Sequence, residues 1–120
     1  MSAGAADGYP DSYRHIVRRL DELIEMHADR PVYSKDLADH AQVSIRTLQS
    51  ATLAVSNMSL HGYVRWRRLL AVRAKLRRGN TSVKTAAMQC GFWHLGDFSR
   101  SYRKEFGELP SATLASAQSR

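Results

Sequence analysis

The sequence predicts an all-α protein of about seven helices. Apolar residues recur at steps of three and four along most of the 120 residues, which is the spacing of one helix face. Alternation of apolar and polar residues, typical of a half-buried strand, does not extend over any length. Short corners that contain glycine, proline, serine or asparagine separate the periodic segments. These observations indicate a small helical domain without a sheet.

The N-terminal part predicts a leader followed by a helix. Residues 1–10 are rich in alanine, glycine, serine and aspartate, which favours a disordered leader or the remnant of a linker. Asp11 or Ser12 can cap a helix that runs to about Ala28, and Pro31 ends the segment. The predicted inward face of this helix consists of Ile16, Leu20, Leu23 and Ile24.

Two shorter helices around a corner follow. Ser34 can cap a helix over 35–41, and Ser44 can cap a third helix that begins at Ile45. The inward face of the third helix is predicted to hold Ile45, Leu48, Ala51 and Thr52. Its outward face is predicted to hold Arg46, Gln49, Ser50 and Leu53. Together the two helices predict a first helix-turn-helix, whose sequence signals are weaker than those of the second one.

A long helix over residues 59–78 is predicted to connect two lobes. Its apolar residues lie on two sides of the helix. One stripe holds Leu60, Tyr63, Leu70 and Ala74, and the other holds Leu69, Val72 and Leu76. Because a helix that is apolar on two sides is normally packed from both, we expect each lobe to pack against this connector.

The segment over 82–107 predicts a second helix-turn-helix. Thr81 or Ser82 can cap its first helix, and Gly91 suits a turn that requires positive φ. The second helix, over 95–105, has an inward stripe of Leu95, Phe98, Tyr102 and Phe106. Its opposite side, flanked by Ser99, holds Gly96, Arg100, Arg103 and Lys104. A helix with an aromatic back and a basic front suits the major groove of DNA.

The overall charge favours the same kind of partner. Eighteen basic residues against eleven acidic residues give a net charge of +7 and a pI near 10.1. Such a balance favours nucleic acid or an anionic membrane surface. Membrane binding would place large apolar residues beside the cations, whereas the aromatic residues here point away from them. We therefore expect double-stranded DNA as the partner and no membrane. The single cysteine suits a reducing cytoplasm, where we expect the protein to be located.

Patterns for other chemistry are missing from the sequence. The five histidines include no i,i+4 pair for a metal site, and no glycine-rich phosphate loop or nucleophile elbow is present. The single cysteine, Cys90, excludes an internal disulfide and is expected to pack in a core. Trp66 and Trp93 are likewise expected in core or inter-lobe packing. We expect no enzyme, no catalytic residue, no metal and no cofactor.

Short groups of residues in both helix-turn-helix segments and in the connector carry a resemblance to a known family. In the second segment these are Ala86, Gly91-Phe92, Phe98-Ser99-Arg100, Phe106-Gly107 and Pro110-Ser111. In the first segment and the connector they are Asp36-Leu37-Ala38, Ser44-Ile45-Arg46-Thr47-Leu48, Tyr63 and Arg68-Leu69. Over about residues 12–114 the chain resembles the DNA-binding domain of the AraC/XylS family of transcriptional regulators.

The resemblance implies two helix-turn-helix lobes that enter successive major grooves on one face of DNA. The connector, about 18 residues and roughly 27 Å long, could hold the two recognition helices about one DNA turn, roughly 34 Å, apart. The implied base-facing residues are Arg46, Gln49 and Ser50 in the first lobe, and Leu95, Gly96, Ser99 and Arg100 in the second. Arg103 and Lys104 are expected on phosphates.

The resemblance also predicts how the chain is divided. The expected parts are a leader (1–10), the first lobe (11–56), the connector (57–79) and the second lobe (80–120). A ligand-sensing or dimerisation domain, which such regulators usually carry, is expected to be absent from these 120 residues. The chain is then either an excised DNA-binding domain or a naturally short regulator. The resemblance to transcriptional regulators also makes RNA polymerase a further candidate partner.

The first lobe departs from the family pattern. Ser50 stands where an arginine is usual, Thr52 where an aromatic residue is usual, and Leu53 and Ala54 where basic residues are common. These changes should loosen the lobe and weaken its phosphate contacts. The alternative prediction is therefore a protein-interaction module whose first lobe binds a protein, with only the second lobe contacting DNA.

Overall fold

The computed structural model describes residues 5–119, with side chains from Ser12 onward. Over this range the chain forms seven α-helices and no strand, which confirms the predicted all-α class. The helices are α1 (Ala5–Met26), α2 (Ser34–Ala41), α3 (Ile45–Ser56), α4 (Leu60–Arg78), α5 (Val83–Gln89), α6 (Leu95–Phe106) and α7 (Pro110–Gln118). Two helix-turn-helix motifs, α2–α3 and α5–α6, lie in two compact units of the chain.

Helix α1 begins earlier than the sequence predicts. It starts at Ala5 rather than after Asp11 or Ser12, so residues 5–10 are helical. Residues 1–4 of the predicted leader lie outside the described part of the chain. Alanine is both common in flexible leaders and the strongest helix former, so composition alone did not separate the two possibilities. The buried side chains of α1 are Val17, Leu20, Leu23 and Ile24, whereas Ile16 is half-buried.

Serine side chains start α3 and α5 as predicted. The Oγ of Ser44 accepts a hydrogen bond at 3.0 Å from the backbone N–H three residues later. The Oγ of Ser82 accepts the equivalent bond at 3.1 Å. The prediction for α2 is wrong by one residue, because Ser34 is already helical and Tyr33 occupies the cap position without a side-chain hydrogen bond. The two serine caps satisfy backbone donors that would otherwise lack partners.

The first compact unit contains α1, α2, α3 and the beginning of α4. Its core consists of Val17, Leu20, Leu23, Ile24, Leu37, Ala38, Ala41, Leu48, Ala51, Leu60 and Tyr63. The hydroxyl of Tyr63 donates to the Asp21 carboxylate at 2.6 Å, which links α4 to α1. On α3, Leu48, Ala51 and Thr52 are completely buried, so one side of this helix is held by the core and the other faces solvent.

The predicted connector is one continuous helix, α4. Its first residues pack in the core of the first unit, whereas Leu69, Val72 and Leu76 pack in the core of the second. The two apolar sides of α4 therefore serve different cores in succession along the helix. Leu70 is half-buried and Ala74 is exposed, so the first stripe does not extend over the whole helix as predicted. The reason is that the first core contacts only the beginning of α4.

The second compact unit contains residues 28–31 and the chain from Arg67 onward. Its core consists of Leu69, Val72, Leu76, Ala86, Ala87, Cys90, Phe92, Phe98 and Tyr102. Consecutive ring centroids lie 5.0, 5.7 and 4.7 Å apart along an aromatic row, Phe92–Phe98–Tyr102–Phe106. The hydroxyl of Tyr102 donates to the Oγ1 of Thr113 at 2.7 Å, which links α6 to α7. This row holds α6 by one side.

Gly91 forms the corner between α5 and α6 with a φ of +88°, as predicted. A Cβ at this position would lie 2.3 Å from Nη1 of Arg68 and 3.1 Å from the carbonyl oxygen of Ala28. Arg68 is buried and donates through Nη2 to the carbonyl oxygen of Arg30 at 2.6 Å. Neighbouring Cys90 is buried as well, and burial raises the pKa of its thiol, as expected of a packing residue.

Candidate nucleic-acid interface

Helix α6 has one buried side and one exposed side. Phe98 and Tyr102 are completely buried, and Phe106 is half-buried. Most of the residues predicted to face DNA from this helix are exposed, namely Leu95, Gly96, Arg100, Arg103 and Lys104. Ser99 is half-buried, so it lies at the boundary between the two sides. The packing thus leaves the predicted DNA-facing side free to approach a ligand.

Two apolar residues near the start of α6 are exposed, although the spacing of Leu95 and the usual packing of tryptophan predicted that both would be buried. For Leu95 the exposure agrees with the base-facing position that the resemblance implies. Leu95 is 36% exposed instead of lying on the inward stripe. Phe92, from the preceding corner, is buried instead, and its ring lies 5.0 Å from that of Phe98. Trp93 is 56% exposed, whereas Trp66 packs against the first core as predicted. Leu95 is the first residue of α6, so no earlier turn of its own helix covers it.

Arg100 pairs with Asp97 three residues earlier on the same helix. Both side chains are largely exposed, at 76% and 61% of their surfaces. An exposed ion pair is worth about 0.2–1 kcal/mol, because water and salt screen it. The pair therefore orients the guanidinium in the free protein without preventing it from binding another acceptor.

Helix α3 presents a less charged surface than α6. Its predicted DNA-facing residues are all exposed, namely Arg46, Gln49 and Ser50. The inward prediction for Ile45 is wrong, since this residue is 40% exposed. It begins the helix one turn before Leu48, the first buried residue of α3. Leu53 is exposed as predicted, at 52%, and Val55 is exposed as well. The side of α3 that exposes Arg46, Gln49 and Ser50 therefore also exposes the apolar side chain of Leu53.

The cations near the two recognition helices are unequally distributed. Arg46 is the only charged residue of α3, whereas the last turn of α6 carries Arg103 and Lys104 in addition to Arg100. The guanidinium of Arg73 lies 4.2 Å above the centre of the Phe106 ring. This cation–π contact engages Arg73 with the aromatic side of α6. Asp97 and Glu105 reduce the net charge of α6 to +1, which equals that of α3. Over the whole motifs, α5 and α6 carry four cations against two anions, whereas α2 and α3 carry two against two, so the second motif is the more positive.

Residues 12–119, whose side chains the structure describes, contain no group of three or more histidine, cysteine, aspartate and glutamate side chains that could hold a metal ion. The helices in the described part of the chain are too short or too polar to cross a membrane.

Comparison with known proteins identifies the family. A family model described as a helix-turn-helix domain matches residues 37–116, from α2 into α7. The regulatory protein SoxS of Salmonella typhimurium is 33% identical to the chain over 100 residues, which are 83% of this chain and 94% of SoxS. The chain belongs to the AraC/XylS family. Members of the family are DNA-binding transcriptional regulators and not enzymes, which confirms the prediction.

This AraC/XylS-family chain is also similar to longer relatives and to solved structures. XylDLEGF operon transcriptional activator 2 of Pseudomonas putida is 36% identical over 100 residues, which are 81% of this chain and 64% of the relative. The match to XylDLEGF operon transcriptional activator 1 of Pseudomonas putida covers 30% of that protein. The chain therefore spans less than two thirds of the length of these two relatives. A "probable AraC family transcriptional regulator" from Rhodopseudomonas palustris is 35% identical, with a TM-score of 0.72 and coverage of 86% and 97% of the two chains. The DNA-binding domain of AdpA, solved in complex with a target DNA, shares the fold at 22% identity and a TM-score of 0.73, with coverage of 90% and 94%.

Proposed function

We propose that this chain binds specific DNA sequences and regulates transcription by inserting α3 and α6 into successive major grooves. The observation that supports this most directly is the construction of α6. Its aromatic side is buried, and its other side exposes Gly96, Arg100, Arg103 and Lys104. A helix that is held in this way can enter a groove without disturbing the core behind it. Such a regulator acts where bacterial DNA lies, in the cytoplasm.

In the second motif we assign two kinds of contact. Leu95, Gly96, Ser99 and Arg100 lie in the first half of α6, where side chains can reach base edges in the groove. Arg103 and Lys104 lie in the last turn and are assigned to phosphates, since that end leaves the groove floor. Phosphate contacts position the protein, and base contacts select the sequence.

In the first motif we assign base contacts to the exposed polar residues of α3. Arg46 can donate two hydrogen bonds to guanine, and Gln49 can pair with adenine. Ser50 is short and can bond to either kind of base. The motif has no cation in its last turn, so its phosphate contacts should be few. We therefore propose that α6 is the main reader and α3 the weaker one.

A mobility-shift assay on mixed genomic fragments at two salt concentrations tests the proposal. Non-specific binding depends on phosphate contacts and falls steeply as salt rises. We expect a small set of fragments to stay bound at the higher salt concentration, and scrambled versions of those fragments to be released. Equal retention of genomic and scrambled fragments at both salt concentrations would refute sequence-specific binding.

A second candidate function is suggested by the apolar residues of α3. Leu53 is 52% exposed and, at 100° per residue, lies on the same side of α3 as Arg46 and Gln49, where its apolar side chain cannot pair with a phosphate. In this alternative the first motif binds a protein, for which RNA polymerase is a candidate in an activator. The test pairs Gln49→Ala with Leu53→Ser in titrations of specific DNA and in transcription with purified RNA polymerase. The alternative is favoured if Gln49→Ala leaves DNA affinity unchanged while Leu53→Ser lowers transcription but not DNA binding.

A further inference from the structure

We infer that Leu95 reads the 5-methyl group of a thymine in the DNA site of α6. The inference rests on the proposed function and names the base that the start of the helix prefers. Leu95 lies in the second compact unit.

The position of Leu95 is the first argument. It is the first residue of α6 and is 36% exposed, whereas Phe92 of the preceding corner is buried beside Phe98. An exposed leucine at the start of a recognition helix has no hydrogen-bonding group to offer a base edge. The thymine methyl is the apolar group that a base pair presents in the major groove. Contact with that methyl is thus the interaction through which Leu95 can discriminate among bases.

The space around Leu95 is the second argument. Gly96 follows it and is exposed, and a Cβ added there would have only the Arg100 guanidinium within 4 Å, at a distance of 4.0 Å. The missing side chain therefore leaves room for a base-pair edge to approach this turn of the helix. Trp93, two residues before Leu95, is exposed as well, so apolar surface continues on the N-terminal side. A thymine methyl that contacts Leu95 would lose part of its exposure to water.

The experiment replaces thymine by deoxyuridine, which differs only by the methyl group. Each thymine of a fragment retained in the mobility-shift assay is replaced singly, and the affinity of the whole chain is measured by fluorescence anisotropy. We expect one position at which the replacement weakens binding about fourfold, the change that corresponds to about 0.8 kcal/mol for a buried methyl group. For Leu95→Ala the thymine-to-uracil ratio at that position should fall close to one.

Leu53→Ala is the matched control, because it shortens an exposed leucine on the other recognition helix. It should leave the fourfold ratio at the same position unchanged. The inference is overturned if no thymine is sensitive to loss of its methyl group, or if Leu95→Ala keeps the full ratio. The proposed function would survive that result if Arg100→Ala still weakened binding to the selected fragment more than to scrambled DNA. It would fail separately if no fragment were preferred over scrambled DNA at all.

Discussion

Replacing Arg100 with alanine should weaken binding to the specific site while changing affinity for scrambled DNA much less. Arg100 lies one turn into α6 and is exposed, so its guanidinium can reach O6 and N7 of a guanine with two nitrogens. Such a contact contributes about 1–3 kcal/mol. In the free protein the same guanidinium pairs with Asp97. Binding to the guanine breaks this exposed pair, which is worth about 0.2–1 kcal/mol, so that amount is subtracted from the contribution of the base contact. The net loss should be about 1–2 kcal/mol, or roughly five- to thirtyfold in Kd.

The assay is a set of anisotropy titrations of specific and scrambled duplexes across several salt concentrations. Lys104→Ala is the matched control, because Lys104 is assigned to a phosphate and should affect both duplexes alike, with a salt slope lower by about one unit. Asp97→Ala should leave specific binding unchanged or improve it slightly, since it frees the Arg100 guanidinium. If Arg100→Ala lowers the affinity for both duplexes by the same factor, Arg100 does not read a base. Specificity would then have to come from Leu95, Ser99 or α3.

Three further predictions concern the two faces of α6, the corner before it, and α3. Phe98→Ala should lower the free energy of unfolding by about 3–5 kcal/mol, because it removes a ring from the aromatic row. Ser99→Ala should change that free energy by less than about 0.5 kcal/mol. Equal shifts of the urea midpoints of the two variants would contradict the assignment of faces. Gly91→Ala should lower the melting temperature more than Gly107→Ala. The value of φ is positive at both glycines (+88° and +79°), but of the two only Gly91 has other atoms within 4 Å of an added Cβ. Equal losses would show that the close contacts at Gly91 do not add to the cost of the substitution. Arg46→Ala should reduce affinity for specific DNA less than the arginine variant of α6, and a clear reversal in matched titrations would make α3 the main reader.

The sequence by itself determined the features that depend on local spacing. Steps of three and four placed Leu48, Phe98 and Tyr102 in the cores, where they are completely buried. Ser44 and Ser82 were recognisable as caps because a cap acts only on the next turn of its own helix. The exposed cations of α6 followed from the same periodicity, since the face opposite a buried stripe must meet solvent. Most of the candidate site could be predicted for this reason.

Only the tertiary structure decided what happens where a helix begins and where distant segments meet. The spacing of Leu95 is the same as that of a buried residue, yet it is exposed, and Phe92 from the preceding corner is buried beside Phe98 instead. The close approach of Arg68 and residue 28 to Gly91 joins segments far apart in sequence, which no local pattern reports. Periodicity states which side of a helix is apolar, but competition among all neighbouring side chains for a limited core volume decides which residues at the ends of that side are buried.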